Sequence, residues 1–248
     1  VKLGTLGGFA GLVWHGENNG EFSIGVNYKT YELEETQGRY INLFSDFIPQ
    51  EERNNFFGAE AVYSYTNSDN PAFPTLGMVA EFRTGITTNL DDSNTFGYFI
   101  PTLGFAHKIS PNGQLVLATR SKAHIIFGDD FEFYQAASIG GNDGLRGYRN
   151  ERFTGKSSFY QTSDLRFNFK RYKTGLVPVE VGVFGGFDIG RIWVDDSLVV
   201  DPSFNKNTWN TSYGGGFFIN GTDLVTANLG LFGSDDGLRF YFGFILGL

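Results

Sequence analysis

The sequence contains no cysteine, one methionine and no long apolar run. Without cysteine, the chain has no disulfide framework, no cysteine-ligated zinc site and no cysteine nucleophile. No stretch approaches the roughly 18 consecutive apolar residues of a transmembrane helix, so none is predicted. Basic residues are also few. The 19 lysines and arginines against 27 acidic residues leave a net charge of -8 over 248 residues, which excludes the basic surface of a nucleic-acid-binding protein.

Enzyme motifs are missing as well. The chain has no Gly-x-Ser-x-Gly, phosphate-binding loop or His-Glu-x-x-His sequence. Its three histidines, His15, His107 and His124, are scattered and do not have metal-ligand spacing. We therefore expect no enzymatic activity, no cofactor and no dedicated metal site.

Glycine and aromatic residues are abundant, and they alternate along the chain. The 34 glycines, 27 phenylalanines and 12 tyrosines recur with period two in residues 21–29, 164–170 and 238–248. These runs are longer than the five or six residues usual in soluble strands and suit tilted membrane-crossing strands. One face is apolar and aromatic, whereas the other carries glycine, asparagine and charge. This arrangement predicts an all-β fold, a transmembrane antiparallel up-and-down β-barrel with lipid outside and a polar lumen.

Turn signals divide the chain into about twelve strands within a single barrel domain, residues 1–248, with no periplasmic module or soluble enzyme domain. Asn18-Asn19-Gly20 and Asn220-Gly221 carry the Asn-Gly pair that favours tight hairpins. An even strand number places both chain ends on the periplasmic side. The predicted strand spans are 1–14, 21–31, 39–47, 54–66, 76–89, 96–108, 114–128, 156–171, 177–194, 208–219, 223–232 and 238–248.

The connections are short on one side and long on the other. Residues 129–155 and 195–207 are the long, extracellular ones, whereas 109–113, 172–176 and 220–222 are short periplasmic turns, the usual asymmetry of such barrels. By the same count the longer segments 32–38 and 67–75 are periplasmic.

The longest loop, between predicted strands 7 and 8, contains Gly-Gly-Asn-Asp-Gly-Leu-Arg-Gly-Tyr at residues 140–148. It resembles the Arg-Gly-Tyr/Phe loop tip of the BamA/TamA-like outer-membrane superfamily, the bacterial surface antigen family. Residues 186–190 resemble the family's Phe-x-Asp-x-Gly motif, residues 163–167 its acidic-Leu-Arg strand, and the end of the chain its C-terminal assembly signal, here ending in leucine. The resemblance covers about residues 130–248. Its loop-tip residues are Gly140, Gly141, Gly144, Arg146, Gly147 and Tyr148, and its assembly-signal residues are Phe240, Phe242, Phe244 and Leu248.

Alternation gives these motifs a physical role. Residues 177–194 place Glu180, Asp188 and Gly190 toward the lumen, where a partly desolvated carboxylate needs a cation. Arg146, on a glycine-flanked loop able to fold inward, offers a planar fork for bidentate pairing with Asp188. Arg166 is expected to pair with Asp164 or Asp188. The alternative is a flexible surface loop; together, the motifs favour an inward loop that plugs the lumen.

The strand number leaves two interpretations. The resemblance implies sixteen strands with five after the loop; the sequence has five predicted strands after it but only seven before it. A closed twelve-stranded barrel is preferred because an open edge in lipid leaves backbone groups unpaired, at several kcal/mol each. The alternative is a fragment of a sixteen-stranded barrel.

The resemblance implies an integral protein of the Gram-negative outer membrane with one of two roles. Some members insert or translocate outer-membrane proteins, and others anchor or export a fused soluble domain. A third possibility is a passive porin-like channel with a plugged lumen. Expected partners are outer-membrane lipid and lipopolysaccharide, with unfolded outer-membrane proteins or a fused N-terminal domain in the first two roles, and no nucleic acid.

Four acidic doublets lie on the predicted extracellular rim and form a weaker hypothesis. They are Asp91 and Asp92, Asp129 and Asp130, Asp195 and Asp196, and Asp235 and Asp236. Either they only solvate turns, or they bind divalent cations that bridge to lipopolysaccharide phosphates. The bridging hypothesis predicts weaker lipopolysaccharide binding after chelation of divalent cations. Unchanged affinity in a binding titration with and without chelator would contradict it.

Overall fold

The computed structural model describes residues 2–34, 53–70, 73–169, 171–173, 178–194, 207–221 and 225–246. Within them the chain is all-β, as predicted, apart from one short 3-10 turn at Phe133–Gln135. No helix of this part is long and apolar enough to span a membrane. The strands are β1 Lys2–His15, β2 Gly20–Glu34, β3 Arg53–Ser68, β4 Gly77–Asn89, β5 Thr95–Lys108, β6 Leu115–Phe127, β7 Ala137–Ile139, β8 Phe153–Gly155, β9 Ser157–Asn168, β10 Glu180–Trp193, β11 Asn210–Gly221, β12 Val225–Ser234 and β13 Gly237–Leu246.

Eleven of these strands form one antiparallel sheet in the order β1-β2-β3-β4-β5-β6-β9-β10-β11-β12-β13. The short strands β7 and β8 pair only with each other, inside the long loop. Each sheet neighbour is also the next long strand along the chain, the up-and-down topology predicted from the turn signals. Five strands follow the loop, in agreement with the prediction.

The strand count before the loop needs a correction. Strand β2 pairs directly with β3, from Glu32 opposite Arg53 to Gly20 opposite Tyr65, so the predicted strand 39–47 does not lie between them. Residues 39–47 themselves are outside the described residues. The error has a physical cause: alternation is a local property of the sequence, whereas membership of a sheet depends on the strands available on either side.

The corrected count changes which rim some turns occupy. We call the rim with residues 128–156 the loop rim and the other the short-turn rim. Antiparallel pairing places the turns at 16–19, 69–76 and 109–114 together on the short-turn rim. The turn that contains Asn18 and Asn19 is therefore on the same rim as the turn at 109–114. Lys2 lies at the loop rim and Leu246 at the short-turn rim, so the expectation that both ends share one side was wrong.

The two faces of the sheet differ as the alternation predicts. Aromatic and aliphatic side chains cover the outer face, including the C-terminal Phe240, Phe242 and Phe244, of which Phe240 is 83% exposed. Leu248 lies outside the described residues. On the inner face, asparagine and threonine side chains such as Asn168 and Thr226 are buried, and the hydroxyl of Thr226 donates to Asn220.

The sheet curls into a barrel wall. Phe73, from the turn before β4, packs against Phe218 of β11 with ring centroids 4.6 Å apart. Five strand spacings separate β4 and β11, which is roughly 24 Å in a flat sheet. Glycines permit tight local bending between β11 and β12, because a Cβ on Gly216 would lie 2.0 Å from the carbonyl oxygen of Leu229. Strands β1 and β13 are the end strands of the described sheet.

A charge on the outer face tests the orientation of the sheet in lipid. Val26 lies midway along β2 and points outward, so Val26→Arg is expected to cost about 2–4 kcal/mol of unfolding free energy. The control is Ser23→Arg on the inner face of the same strand, which is expected to change stability far less. Denaturant titration in lipid vesicles measures both. Equal losses would mean that the outer face is not lipid-facing.

Candidate functional site

The long loop folds back into the lumen, where its apolar side chains form a buried cluster with the wall. Ile139, Leu145, Tyr148 and Phe153 of the loop pack with Tyr160 of β9 and Ile192 of β10. These side chains give the loop its own small core, so it is an ordered part of the interior. The sequence alternative of a flexible surface loop does not describe this arrangement.

Glycines allow the loop to approach other backbone and side chains closely. A Cβ on Gly140 would lie 2.3 Å from the carbonyl oxygen of Arg149, and one on Gly141 would lie 2.5 Å from that of Tyr148. Gly144 has a φ of +96° and meets the ring of Tyr160, which a Cβ would approach to 2.2 Å. The left-handed backbone and the missing side chain are both required at this position.

Arg146 of the loop pairs with Asp188 of β10 at the centre of the site. Its Nη2 lies 2.6 Å from Asp188 Oδ1, and its Nε lies 3.1 Å from the same oxygen. Its backbone N–H donates to Asp188 Oδ2 at 3.0 Å. Asp188 is 0% exposed and Arg146 is 8% exposed. The hydroxyl of Ser212 on β11 also donates to Asp188, at 2.7 Å.

A second carboxylate and two aromatic rings complete the surroundings of the arginine. Arg146 Nη1 lies 2.8 Å from Asp164 Oδ1, and the guanidinium stacks 4.1 Å from the ring centroid of Phe232 and 5.5 Å from that of Tyr241. A Cβ on Gly186 would lie 2.6 Å from Arg146 Nη2, so glycine makes room for the guanidinium. The Phe-x-Asp-x-Gly segment thus provides both the counter-charge and the space.

The structure places neither Arg166 nor Glu180 beside Asp188. Arg166 Nη2 is 3.9 Å from Asp164 Oδ2, so of its two expected partners the structure selects Asp164. Two arginines therefore face two aspartates, and their formal charges cancel. Glu180 begins β10 at the short-turn rim, roughly 27 Å from Asp188 at the rise of an extended strand, and takes no part in the site.

Gly147 and Gly190 are close-contact positions. The Gly147 N–H donates to Ser212 Oγ at 3.2 Å, and its carbonyl oxygen accepts from Ser234 Oγ at 2.7 Å. A Cβ on Gly190 would lie 3.0 Å from the side chain of Ile139. The loop tip is thereby attached to β10, β11 and β12 together.

Further anchors were not anticipated from the sequence. Asp143 accepts from Lys122 Nζ of β6 at 2.8 Å and from the hydroxyl of Tyr160 at 2.7 Å. At the loop rim Arg152 donates to Asp236 through Nε at 2.6 Å and Nη2 at 3.2 Å. Lys122 and Asp143 are oppositely charged, but they are 21 positions apart in the sequence. Only the folded structure shows that they contact each other.

The acidic doublets mostly contact groups of the chain itself. Asp91 accepts from the backbone N–H of Asn55, Asp92 from that of Asn94, and Asp129 pairs with Lys156. Asp130 and Asp235 are exposed, and residues 195 and 196 lie outside the described ones. Across the described ranges, no group of three or more His, Asp or Glu side chains is placed to hold a metal ion.

The site as a whole tethers the loop. Its formal charges are balanced, both carboxylates are paired with arginines, and the central Asp188 is hydrogen-bonded and shielded from water. Such a network holds a loop across a lumen, and its bidentate geometry specifies one position for that loop. The site therefore fastens the loop tip to the inner face of the wall.

Comparison with known proteins gives a family and a fold. A model of the Omp85 superfamily domain matches residues 1–222, and no curated protein matches the chain. Among 67 matching chains of solved structures is BamA from Haemophilus ducreyi lacking POTRA domains 1–3, with a TM-score of 0.72 at 16% identity. The match covers 98% of this chain and 53% of that chain, so this chain spans about half its length. At this identity the likeness shows the fold.

The buried pair predicts a large stability difference between two aspartate substitutions. Asp188→Asn leaves the buried Arg146 with only one carboxylate, and we expect a loss of about 3 kcal/mol in unfolding free energy. The control is Asp129→Asn, whose side chain is 75% exposed and whose loss should stay below about 1 kcal/mol. Denaturant titration in lipid vesicles measures both. Similar losses for the two variants would contradict a tethering role for Asp188.

Proposed function

The chain belongs to the Omp85 superfamily, and from this premise we propose that it forms an outer-membrane barrel wall that assists the insertion or translocation of outer-membrane proteins. The proposed location is the bacterial outer membrane, with the aromatic outer face in lipid. The proposed partners are unfolded outer-membrane proteins, together with lipid and lipopolysaccharide. No enzymatic activity is proposed.

The observation that carries this proposal is the loop fastened across the lumen. Arg146 is held by Asp188 and Asp164, and Gly147 by Ser212 and Ser234. A passive porin needs an open, water-filled path, which a loop bonded to the inner face of β10, β11 and β12 obstructs. A protein that handles unfolded clients benefits instead from a sealed lumen, because an open pore leaks solutes while clients pass.

The C-terminal strand adds support. Strand β13 is an end strand of the described sheet, and its outer face carries Phe240, Phe242 and Phe244. Strand edges bind added strands through main-chain hydrogen bonds. The loop contacts this region directly, because Arg146 stacks on Tyr241 of β13 and Arg152 binds Asp236 just before it. The loop therefore supports the strand at which a client strand would add.

The proposal predicts accelerated folding of a client barrel. An unfolded reporter barrel is mixed with liposomes that contain the full-length protein or none, and its folded fraction is followed with time on unheated gels. We expect faster folding with the protein present. Arg146→Ala is expected to abolish the acceleration, because it removes the loop's bidentate contact with Asp188.

A matched control separates the loop from general damage. Arg120 of β6 faces the lumen and is exposed, so Arg120→Ala removes a lumen arginine outside the tether and should retain the acceleration. If the well-folded parent does not accelerate the reporter, the proposal is wrong, and anchoring of a fused domain becomes the better interpretation. If Arg146→Ala accelerates as well as the parent, the loop is not part of the activity.

A further inference from the structure

A second inward-folding element enters the lumen from the rim opposite the loop. It is the turn between β3 and β4, of which residues 69–70 and 73–76 are described; we call it the Phe73 turn. Strand pairing places it on the short-turn rim. Although it lies in a turn, Phe73 is only 3% exposed.

The Phe73 turn is held in shape by its own hydrogen bonds. Asp69 accepts from the backbone N–H groups of Thr75 and Leu76 at 2.9 and 3.0 Å and from the Thr75 hydroxyl, and it pairs with Lys108 at 3.2 Å. Asn70 Oδ1 accepts from the Phe73 N–H at 2.9 Å. Burial alone would raise the pKa of Asp69, but the hydrogen bonds outweigh it and lower the pKa to about 2. The carboxylate therefore stays charged and keeps the turn preorganised.

The tip of the turn binds the far wall of the lumen. The ring of Phe73 packs 4.6 Å from that of Phe218 on β11, and the guanidinium of Arg166 on β9 stacks 4.2 Å from the Phe73 ring centroid. Arg166 also donates to the carbonyl oxygen of Pro74 at 3.4 Å. The aromatic ring and the backbone of the turn are thus both bound by the wall opposite β3 and β4.

The Phe73 turn and the long loop meet on the same aromatic cluster. Phe73 belongs to a buried group with Phe184, Phe218 and Phe232, against which Tyr241 packs. Arg146 of the loop stacks on Phe232 and Tyr241 of this group. The charged side chains are also continuous, since Asp164 contacts both Arg146 and Arg166. The two elements therefore share one set of contacts inside the barrel.

From this arrangement we infer that the Phe73 turn is a second closure of the lumen, coupled to the loop through the Phe218–Phe232 cluster and the Arg146–Asp164–Arg166 charges. When the loop moves, Phe232 and Asp164 lose their contacts with Arg146. The packing of Phe73 in the cluster then weakens. The coupling also acts in the other direction, because release of Phe73 from the cluster weakens the contacts that hold the loop. Opening of the lumen from end to end requires both elements to leave the cluster.

The test measures ion flow through single molecules of the full-length protein in planar lipid bilayers. Phe73→Ala removes the ring from the cluster, and its matched control is Leu76→Ala, in the same turn but 48% exposed. We expect Phe73→Ala to raise the time-averaged conductance at least about tenfold over the parent, because losing a buried phenylalanine ring removes more contact energy than a tenfold shift requires. Leu76→Ala should conduct like the parent.

Coupling to the loop is tested by thiol labelling, for which the chain's lack of cysteine provides a clean background. The thiol is placed at Ser68→Cys, which keeps the Phe73 ring, because the Ser68 hydroxyl oxygen is buried at the end of β3, directly before the Phe73 turn. This thiol is expected to react slowly with a water-soluble maleimide in otherwise unchanged protein and several-fold faster when Asp188→Asn is added. The labelling measurement does not use Phe73→Ala, so it tests the inference even if that variant does not fold.

Two results would overturn the inference. One is a folded Phe73→Ala variant with the conductance of the parent and of Leu76→Ala. The other is a Ser68→Cys thiol that reacts at the rate of an exposed Leu76→Cys, or at a rate that Asp188→Asn leaves unchanged. The conductance and the labelling rate do not depend on client insertion. The proposed function can therefore fail while this inference holds, and this inference can fail while the proposed function holds.

Discussion

The ion pair between Arg146 and Asp188 is the interaction on which the interior of this barrel depends. A carboxylate with no exposed surface is costly to bury, and attraction to one cation compensates only if the remaining lone pairs are also satisfied. Here the arginine side chain, its own backbone N–H and the hydroxyl of Ser212 supply those partners. The observed loop position meets this requirement, because it brings both the guanidinium and the backbone N–H of Arg146 to Asp188.

The aromatic cluster behind the ion pair extends this constraint across the lumen. Phe232 contacts the guanidinium of Arg146 and also belongs to the buried cluster of Phe73, Phe184 and Phe218. Stacking of a guanidinium on an aromatic ring is strongest where water is excluded, so the apolar cluster strengthens the polar one. The long loop and the Phe73 turn, which come from opposite rims, therefore pack around one buried centre. An apolar cluster inside a polar lumen is explained by this role, because its rings receive the loop arginine and Phe73.

Much of the wall was predictable because its signal is local. A strand with lipid on one side and lumen on the other must alternate, and this requirement acts on residues two positions apart. The predicted spans of β4, β5 and β6, and the outward orientation of Phe240, Phe242 and Phe244, follow from it. The same local signal predicted a strand at 39–47 between two strands that pair directly with each other, since alternation cannot report whether a neighbouring strand is already paired. Phe73 was missed because an aromatic residue in a polar turn has no periodic pattern to mark it.

By itself, the sequence determined the all-β class, the two-faced strands and the pairing of a loop arginine with a motif aspartate, because each leaves a pattern in residue types. The tertiary structure decided which partners complete each contact. Arg146 and Asp188 are 42 positions apart, Arg166 and Pro74 are 92 apart, and Ser212, Phe232 and Tyr241 join the site from three different strands. No short-range pattern encodes such contacts. They arise when a curled sheet brings distant segments to one lumen, where each buried charge and ring must find a partner.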